Sequence, residues 1–392
     1  MLKIRSLGLV YFILFCMLVY INIYNLMLTT VAEQNSFYSV FVFLFLLFIQ
    51  VLMIFISNIP IKKTSTFFFL SLYSLVIILD SVFRSHLPLY QSLVVLLPLT
   101  TYIAAYKISY IERTKFCNKY IIYITLLLIY LLLYRCFNIR MSSRIFSGEM
   151  SNVYGLLYFS PIIFFIQFKY IRYVLLFLSF IGIMSSFKRS GVLAMIIALS
   201  VYFYTEKYIS SVAKRLNILK PVILGVFIIF VLALLLSYFN SITGDVLFSR
   251  FDSLVEGGGS GRDQIYYEVF TACLNSDFFN FFIGHGWDSV RINRIDALSA
   301  HNDYLEAWFD LGFVFLLFFI VFVYKLVFKA VKLLIEKNKL APVAFYTLVI
   351  FIINSFFSHI ILYPIFFAQV TFILGIIDGI TQKEHDYNNL SQ

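Results

Sequence analysis

The chain has 392 residues, of which 61% are hydrophobic and 13% charged, and its formal net charge is +10. A mean hydropathy of +0.92 excludes a soluble globular protein and indicates a polytopic membrane protein. Basic residues accumulate in cytoplasmic loops, which explains most of the positive charge without nucleic-acid binding.

Apolar runs recur along the chain and are separated by short polar connecting segments. A membrane-spanning helix needs about 20 apolar residues, so the runs predict an all-α polytopic protein with about twelve spans. The predicted spans are 6–31, 37–56, 66–83, 89–106, 120–137, 152–168, 171–187, 190–205, 217–239, 307–328, 341–358 and 361–380. The distribution of lysine and arginine over the connecting segments predicts that both termini are cytoplasmic.

A long hydrophilic segment separates two groups of spans and is predicted to lie on the outer side. It divides the chain into a transmembrane bundle at 1–239, the loop at 240–306, transmembrane helices at 307–380 and a cytoplasmic tail at 381–392. Ile265, Val269 and Cys273 have helical spacing in this loop, and Ser260 and Asp263 have the spacing of a capping box. We therefore expect short helices there. The sequence leaves open whether Cys273 pairs with Cys136.

Basic residues on the outer side oppose the usual charge bias and need a local explanation. Lys188 and Arg189 either serve a site or extend to the lipid headgroups. Arg291 and Arg294 either bind acidic sugars or pair with nearby acids, with pairing as the default. The other outer basic residues are Arg84, Arg135, Arg140, Arg144, Arg250 and Arg262.

The stretch SAHNDYLEAWFDLG, at 299–312, places polar residues just before a long apolar run. Asp303 and Glu306 have the spacing of a capping box, which predicts a helix that begins at Asp303 and continues past Gly312 into the membrane. A helix N-terminus attracts anions and disfavours an imidazolium, so His301 suits both a neutral base and a nearby phosphate. Alternatively, His301 and its neighbour only cap a loop. His285 is a rival base, although its flanking glycines favour a tight turn.

Three stretches together resemble a known family. SSFKRSGVLAM carries a basic residue at the outer end of a mid-chain helix, SGRDQIYYEVF is followed by the Gly-x-Gly of FIGHGWDSV, and HNDYLEAWFDLG has His-Asn, nine residues and Gly. Their order and spacing are similar to those of the O-antigen ligase and polymerase (Wzy/WaaL) superfamily of bacterial surface polysaccharide assembly. The resemblance extends over about residues 150–330.

The resemblance implies a GT-C-like glycosyltransferase fold in the bacterial inner membrane, with the large loop in the periplasm. It implies transfer of a glycan from undecaprenyl pyrophosphate to a sugar hydroxyl, without a metal or other cofactor. His301 matches the family's catalytic histidine, and Arg189 and Arg262 match its pyrophosphate-binding arginines. The implied partners are the lipid-linked oligosaccharide, membrane lipid and a chain-length regulator protein. Further candidates for substrate contact are Lys188, Arg291, Arg294, Asn302 and Tyr304.

Three functions remain open at this level. Phe315 stands three residues after Gly312, where ligases tend to have a small residue or threonine, and this favours a repeat-unit polymerase over a ligase that delivers the glycan to lipid A core. A lipid-linked oligosaccharide flippase would place charges within the spans and show repeated halves.

The sequence has neither an Asp-x-Asp pair nor clustered loop acids to hold a divalent cation. Sugar identity, linkage, chain length and oligomeric state are not encoded in a recognisable way.

Overall fold

The computed structural model describes residues 64–84, 93–112, 153–185, 188–210, 262–293 and 299–390, together with 47–48, 51, 122–123, 125–130 and 133. Regular structure in this part of the chain is helical, with no strand. The prediction of an all-helical protein is confirmed for these residues.

The helices are numbered in chain order. Short 3-10 segments at Val94–Leu96 and Ser160–Phe165 adjoin α2 and α3. The α-helices are α1 (Ser65–Phe83), α2 (Leu97–Glu112), α3 (Val153–Phe159), α4 (Lys169–Ser185), α5 (Arg189–Ser210), α6 (Arg262–Leu274), α7 (Phe278–Ile283), α8 (Ser289–Asn293), α9 (Asp303–Ile335), α10 (Ala341–Phe357) and α11 (Pro364–Leu390).

Four of these segments are long and apolar enough to cross a membrane: Ser65–Phe83, Ser190–Ser210, Asp303–Ile335 and Pro364–Tyr387. Shorter apolar helices occupy Val94–Tyr110, Val153–Phe165 and Ala341–Phe357. All of them coincide with predicted spans. The spans predicted at 6–31 and 217–239 lie outside the described residues, as do most of 37–56 and half of 120–137. The layout of about twelve spans therefore stays a prediction.

The span predicted at 152–168 is not a continuous α-helix. It changes to a 3-10 helix at Ser160, next to Pro161, which has no N–H to donate and whose ring clashes with the preceding turn. Every residue from Val153 to Phe165 is buried. The segment therefore lies inside the helix bundle as a core element.

Helices α2 and α11 pack closely because two glycines of α11 face α2. A Cβ on Gly375 would lie 2.5 Å from the Tyr102 carbonyl oxygen, and one on Gly379 would lie 2.3 Å from that of Tyr106. Their spacing is the G-x-x-x-G pattern that lets membrane helices approach. Between them, Asp378 accepts a hydrogen bond from the Tyr102 hydroxyl at 2.8 Å and pairs with Lys329 of α9.

The segment before α9 forms a small core of its own. Val269 and Cys273 of α6 are buried there with Val290 of α8 and Ala300, and Ile265 packs against them. This confirms the predicted amphipathic helix and its buried face. Cys273 is a free thiol, whereas Cys136 and the proposed cap residue Ser260 lie outside the described residues.

Two glycines of the sequence motifs meet at a break in α9. Gly312 has φ 88° and ψ 167°, so the helix predicted to run on past it is interrupted there. Gly284 has φ 87°, and the turn that it begins docks on the break, where the backbone N–H of His285 donates to the Phe309 carbonyl at 2.9 Å. The predicted tight turn is confirmed, and it brings the backbone at His285 into contact with the backbone of α9 at Phe309.

Alanine at either Gly284 or Gly312 is expected to destabilise the protein. Each position has a positive φ, and an added Cβ would lie 2.1 Å from the Asp310 carbonyl oxygen or 2.3 Å from that of Phe282. The strain should cost about 1–3 kcal/mol or more, measured as a lower midpoint of thermal unfolding in detergent. Gly191→Ala is the matched control, because its Cβ would meet only side chains at 3.7 Å or beyond. Equal stability of all three variants would contradict the close backbone contact at Gly284 and Gly312.

Candidate active site

The N-terminus of α9 is capped by Asn302. Its side-chain oxygen accepts hydrogen bonds from the backbone N–H groups of Tyr304 at 3.0 Å and Leu305 at 3.2 Å. The helix begins at Asp303 as predicted, but the predicted capping box between Asp303 and Glu306 is wrong. The N-cap is Asn302. Asp303 is buried and accepts hydrogen bonds from the loop after α10, and the buried Glu306 accepts from the backbone N–H of His301, just before the cap.

Three acidic residues lie on one buried face of the first turns of α9. Asp303, Glu306 and Asp310 have exposed fractions of 0%, 3% and 1%. A buried carboxylate needs hydrogen-bond donors, and backbone N–H groups of three separate segments supply them here. Asp303 accepts from Ile360 at 3.0 Å and 3.1 Å, Glu306 from His301 at 2.9 Å, and Asp310 from Asp288 and Val290 at 3.0 Å.

The backbone of His301 is held in an uncommon conformation. Its φ is 55°, which lies in the left-handed region that a residue with a Cβ rarely adopts. Glu306 accepts a hydrogen bond from its N–H at 2.9 Å, and the Tyr266 hydroxyl donates to its carbonyl at 3.3 Å. These contacts offset a strain of order 1–3 kcal/mol and fix where the side chain emerges.

The imidazole of His301 is available for chemistry. Within the described part of the chain, its hydrogen bonds are made by the backbone, so the two ring nitrogens are not used. Burial, and then the positive charges of Arg262 and Lys188, lower its pKa to about 4. The ring is therefore neutral at physiological pH and has a lone pair that accepts a proton.

The two basic residues that act on His301 lie where helices begin. Arg262 is the first residue of α6, and its Nη1 donates to the Phe357 carbonyl oxygen at the end of α10, at 2.9 Å. Because this acceptor is neutral, the hydrogen bond leaves the guanidinium charge in place. Lys188 directly precedes Arg189, the first residue of α5. The side chain of Arg189 lies outside the described residues, so its role stays a prediction.

A second histidine, which the sequence analysis missed, completes the cluster. The ring of His359 lies 4.6 Å from that of His301, between centroids, at 38°. Its Nε2 is 2.8 Å from the Ser299 hydroxyl and its Nδ1 is 3.5 Å from Oε2 of Glu306. Burial lowers its pKa, with further contributions from His301 and Arg262. A lone histidine between two apolar runs on the predicted outer side was the available signal.

Two other predicted substrate-contact residues, Arg291 and Tyr304, are engaged elsewhere. Arg291 forms an ion pair with Asp288, with its Nε at 2.9 and 3.0 Å from the two carboxylate oxygens, which raises the pKa of the guanidinium. The default interpretation of Arg291 is confirmed. The Tyr304 ring packs between Phe319 and Phe356, at centroid distances of 4.9 and 4.6 Å. Arg294 lies outside the described residues.

The rival histidine, His285, belongs to the turn that docks on the break in α9. Its Nε2 is 2.8 Å from the Ser276 hydroxyl, and its ring stacks on Phe309 at 4.3 Å. Burial lowers its pKa. Its contacts are therefore with Ser276, in the segment between α6 and α7, and with Phe309 of α9.

Metal ions in proteins are bound by groups of ligand side chains. Among the described residues, no three or more His, Cys, Asp or Glu side chains are grouped so that they could hold a metal ion. The carboxylates nearest to His301 are already committed to backbone N–H groups. The prediction of a metal-independent site therefore stays a prediction and needs a chelation experiment.

The fold and the cluster define a class of protein: a helical membrane protein that presents a neutral imidazole beside cationic side chains at the ends of its helices. Residues 174–320 match the family model described as O-antigen ligase. The matched part includes Lys188, Arg262 and His301 and confirms the resemblance to the O-antigen ligase and polymerase superfamily. A search of curated proteins found no match.

The lowered pKa of His301 can be measured directly. We expect its ring to remain neutral down to about pH 5 and to titrate near 4, since burial and two positive charges disfavour the imidazolium. Lys188→Gln should raise the midpoint toward 6.5 by removing one charge. The measurement is NMR titration of histidine-labelled protein, whose five histidines are assigned with His301→Asn.

Lys337→Gln is the matched control for this titration. Lys337 lies beyond the far end of α9, about 50 Å from its N-terminus, and should leave the midpoint unchanged. A midpoint near 6.5 in the unmodified protein would contradict the described environment of His301.

Proposed function

We propose that the protein is a surface polysaccharide polymerase of the bacterial inner membrane. It transfers an undecaprenyl-pyrophosphate-linked glycan to a sugar hydroxyl of another lipid-linked repeat unit. The observation that carries the proposal is the neutral imidazole of His301, with unused ring nitrogens, in the electrostatic field of Arg262 and Lys188. The match of residues 174–320 to the O-antigen ligase family supports it.

His301 acts as the general base in this proposal. One ring nitrogen accepts the proton of the acceptor hydroxyl as its oxygen bonds to the anomeric carbon of the donor glycan. The bond from that carbon to the carrier diphosphate breaks, and the diphosphate leaves with the electron pair. A single displacement of this kind inverts the anomeric configuration. Proton removal by a positioned base contributes about 10² to 10⁴ in rate.

Arg262 and Arg189 serve as the diphosphate site. Negative charge grows on the leaving group as the glycosidic bond breaks, and guanidinium groups placed beforehand stabilise it in a partly dehydrated site. Arginine keeps its charge next to a membrane, which suits this task. Lys188 adds a third positive charge next to Arg189 in the sequence.

The same positive charges link base strength to carrier binding. Burial lowers the pKa of His301, and the charges of Arg262 and Lys188 lower it further. A bound diphosphate would neutralise their field, so the pKa of the imidazole would rise toward the working pH. A base is most effective when its pKa is near that pH. His301 would thus become a stronger base only when the donor is in place.

The proposed topology agrees with the contacts between helix ends. Arg262 reaches the C-terminal end of α10, and His301 at the start of α9 adjoins His359 between α10 and α11. In the proposed layout of about twelve spans, with both termini cytoplasmic, each of these ends lies on the outer side. The proposal therefore includes a GT-C-like bundle with a periplasmic loop, and a chain-length regulator protein as a partner.

An O-antigen ligase is the second candidate, favoured by the description of the matching family. Phe315, where ligases tend to have a small residue, favours the polymerase. A strain that lacks the protein separates the two, because it would accumulate single-repeat lipopolysaccharide without the polymerase and lipid-linked polymer without the ligase. A flippase shares features such as the partly buried Lys329–Asp378 pair, but it would leave the bond between glycan and diphosphate intact.

His301→Ala and Arg262→Ala should each abolish polymer in that strain when supplied in place of the unmodified protein. The first variant lacks the base and the second lacks a diphosphate contact, so the initial rate should fall by at least about 10²-fold. Polymer is measured on gels and protein in the membrane by immunoblotting. Arg291→Ala is the control and should be milder, because Arg291 pairs with Asp288. Normal polymer with His301→Ala would refute the assignment of the base.

Polymerisation should also survive chelation of divalent cations. The charge of the leaving diphosphate is balanced here by arginine and lysine side chains, so EDTA should change the rate of polymer formation in isolated membranes by less than about twofold. A loss of activity in EDTA that Mg²⁺ or Mn²⁺ restores would show instead that a metal ion is required.

A further inference from the structure

His359 lies outside the three sequence motifs, between α10 and α11, and yet it contacts the proposed base. It is 5% exposed, and its ring adjoins that of His301 at 4.6 Å. The proposed reaction requires only one base, which leaves His359 without a role so far. A buried histidine beside a catalytic one needs a physical reason.

The two histidines differ in how their ring nitrogens are used. Those of His301 are available, whereas Nε2 of His359 is 2.8 Å from the Ser299 hydroxyl and its Nδ1 faces Glu306. One neutral tautomer satisfies both contacts, with Nδ1–H directed at the carboxylate and Nε2 accepting from Ser299. At 3.5 Å, the first contact is longer than an ordinary hydrogen bond, so it is a polar contact between Nδ1 and Oε2 of Glu306. His359 is therefore suited to hold a neighbour in place.

Glu306 connects the two histidines through its two oxygens. Oε1 accepts from the backbone N–H of His301 at 2.9 Å, while Oε2 faces Nδ1 of His359. The residue belongs to the first turn of α9, which is anchored in the membrane bundle. Movement of the Glu306 carboxylate would therefore remove its contacts with the His301 backbone and with the His359 ring at the same time.

We propose that Glu306 and His359 form a positioning pair that fixes the orientation of the His301 imidazole toward the acceptor hydroxyl. The inference rests on the proposed function, since it assumes that His301 is the base. A base must lie within hydrogen-bond reach of the proton that it removes, and small displacements cost rate without affecting substrate affinity. Loss of the pair should therefore lower kcat and leave KM nearly unchanged.

The test compares two amides at position 359. The side-chain amide of asparagine lies near the place of Nδ1, so His359→Asn retains a donor toward Glu306 and loses the contact with Ser299. Glutamine reaches the place of Nε2, so His359→Gln does the reverse. The substrate is the lipid-linked repeat unit extracted from the strain that lacks the protein, and the initial rate of linkage formation gives kcat and KM.

We expect His359→Gln to lower kcat by roughly 10- to 100-fold, the usual cost of losing the residue that orients a functional side chain. His359→Asn should stay within about threefold of the unmodified protein, as should Ser299→Ala. KM should change by less than about twofold in all three variants. His385→Asn, at a histidine that is 60% exposed near the C-terminus, is the control for histidine replacement as such.

Several outcomes would overturn the proposal. Equal activities of His359→Asn and His359→Gln would show that the contact with Glu306 does not matter. A loss that appears in KM, or in thermal stability without a change in kcat per folded protein, would assign His359 a structural role. If His301→Ala remains active, the proposed function itself fails, whereas failure of the positioning pair leaves His301→Ala inactive.

A second variant keeps the test decisive if His359→Gln does not accumulate in the membrane. Glu306→Gln has nearly the same volume and keeps an oxygen for the His301 N–H, but its amide nitrogen can no longer attract Nδ1–H of His359. We expect kcat to fall by a similar factor, roughly 10- to 100-fold. An unchanged kcat in Glu306→Gln would overturn the proposal on its own.

Discussion

Three buried carboxyl groups in the first turns of α9 organise the end of the helix bundle at which that helix begins. Asp303, Glu306 and Asp310 face the same side of the helix, and each accepts backbone N–H groups from a different segment. Burying a carboxylate is costly unless donors surround it, so each segment is fixed to the helix by the penalty of leaving that group unsatisfied. The loop after α10, the loop that carries His301 and the short helix α8 therefore share one support.

This arrangement also determines the electrostatics of the site. The buried acids are satisfied mainly by neutral backbone groups, and Arg262 donates to a neutral carbonyl oxygen at the end of α10. Burial lowers the pKa of the His301 imidazole, and the positive field of Arg262 lowers it further. A diphosphate carrier has the charge and the location that such a field selects at a membrane surface. Asp303 and Glu306 accept backbone N–H groups and Arg262 donates to a backbone carbonyl, so the acids do not neutralise the charge of Arg262 by pairing with it.

Periodicity and composition predicted the helical class, the spans that the described residues cover, the start of α9 at Asp303 and the buried face of α6. They failed where tertiary contacts override local patterns. Asp303 and Glu306 have the spacing of a capping box, but Asn302 caps the helix, and Asp303 is buried against the loop after α10. His359 is far from His301 in sequence, so only the fold brings them together. The Gly284 and Gly312 motifs were visible, but their meeting depends on two backbones approaching each other.

The most direct test of the account is the fate of the carrier. Purified protein in lipid nanodiscs is supplied with the lipid-linked repeat unit in metal-free buffer, and free undecaprenyl pyrophosphate is measured together with new glycosidic linkages. We expect one carrier molecule to be released for each linkage formed, with the anomeric configuration inverted, and neither product with His301→Ala. Movement of intact lipid-linked glycan across the membrane without release of carrier would contradict it.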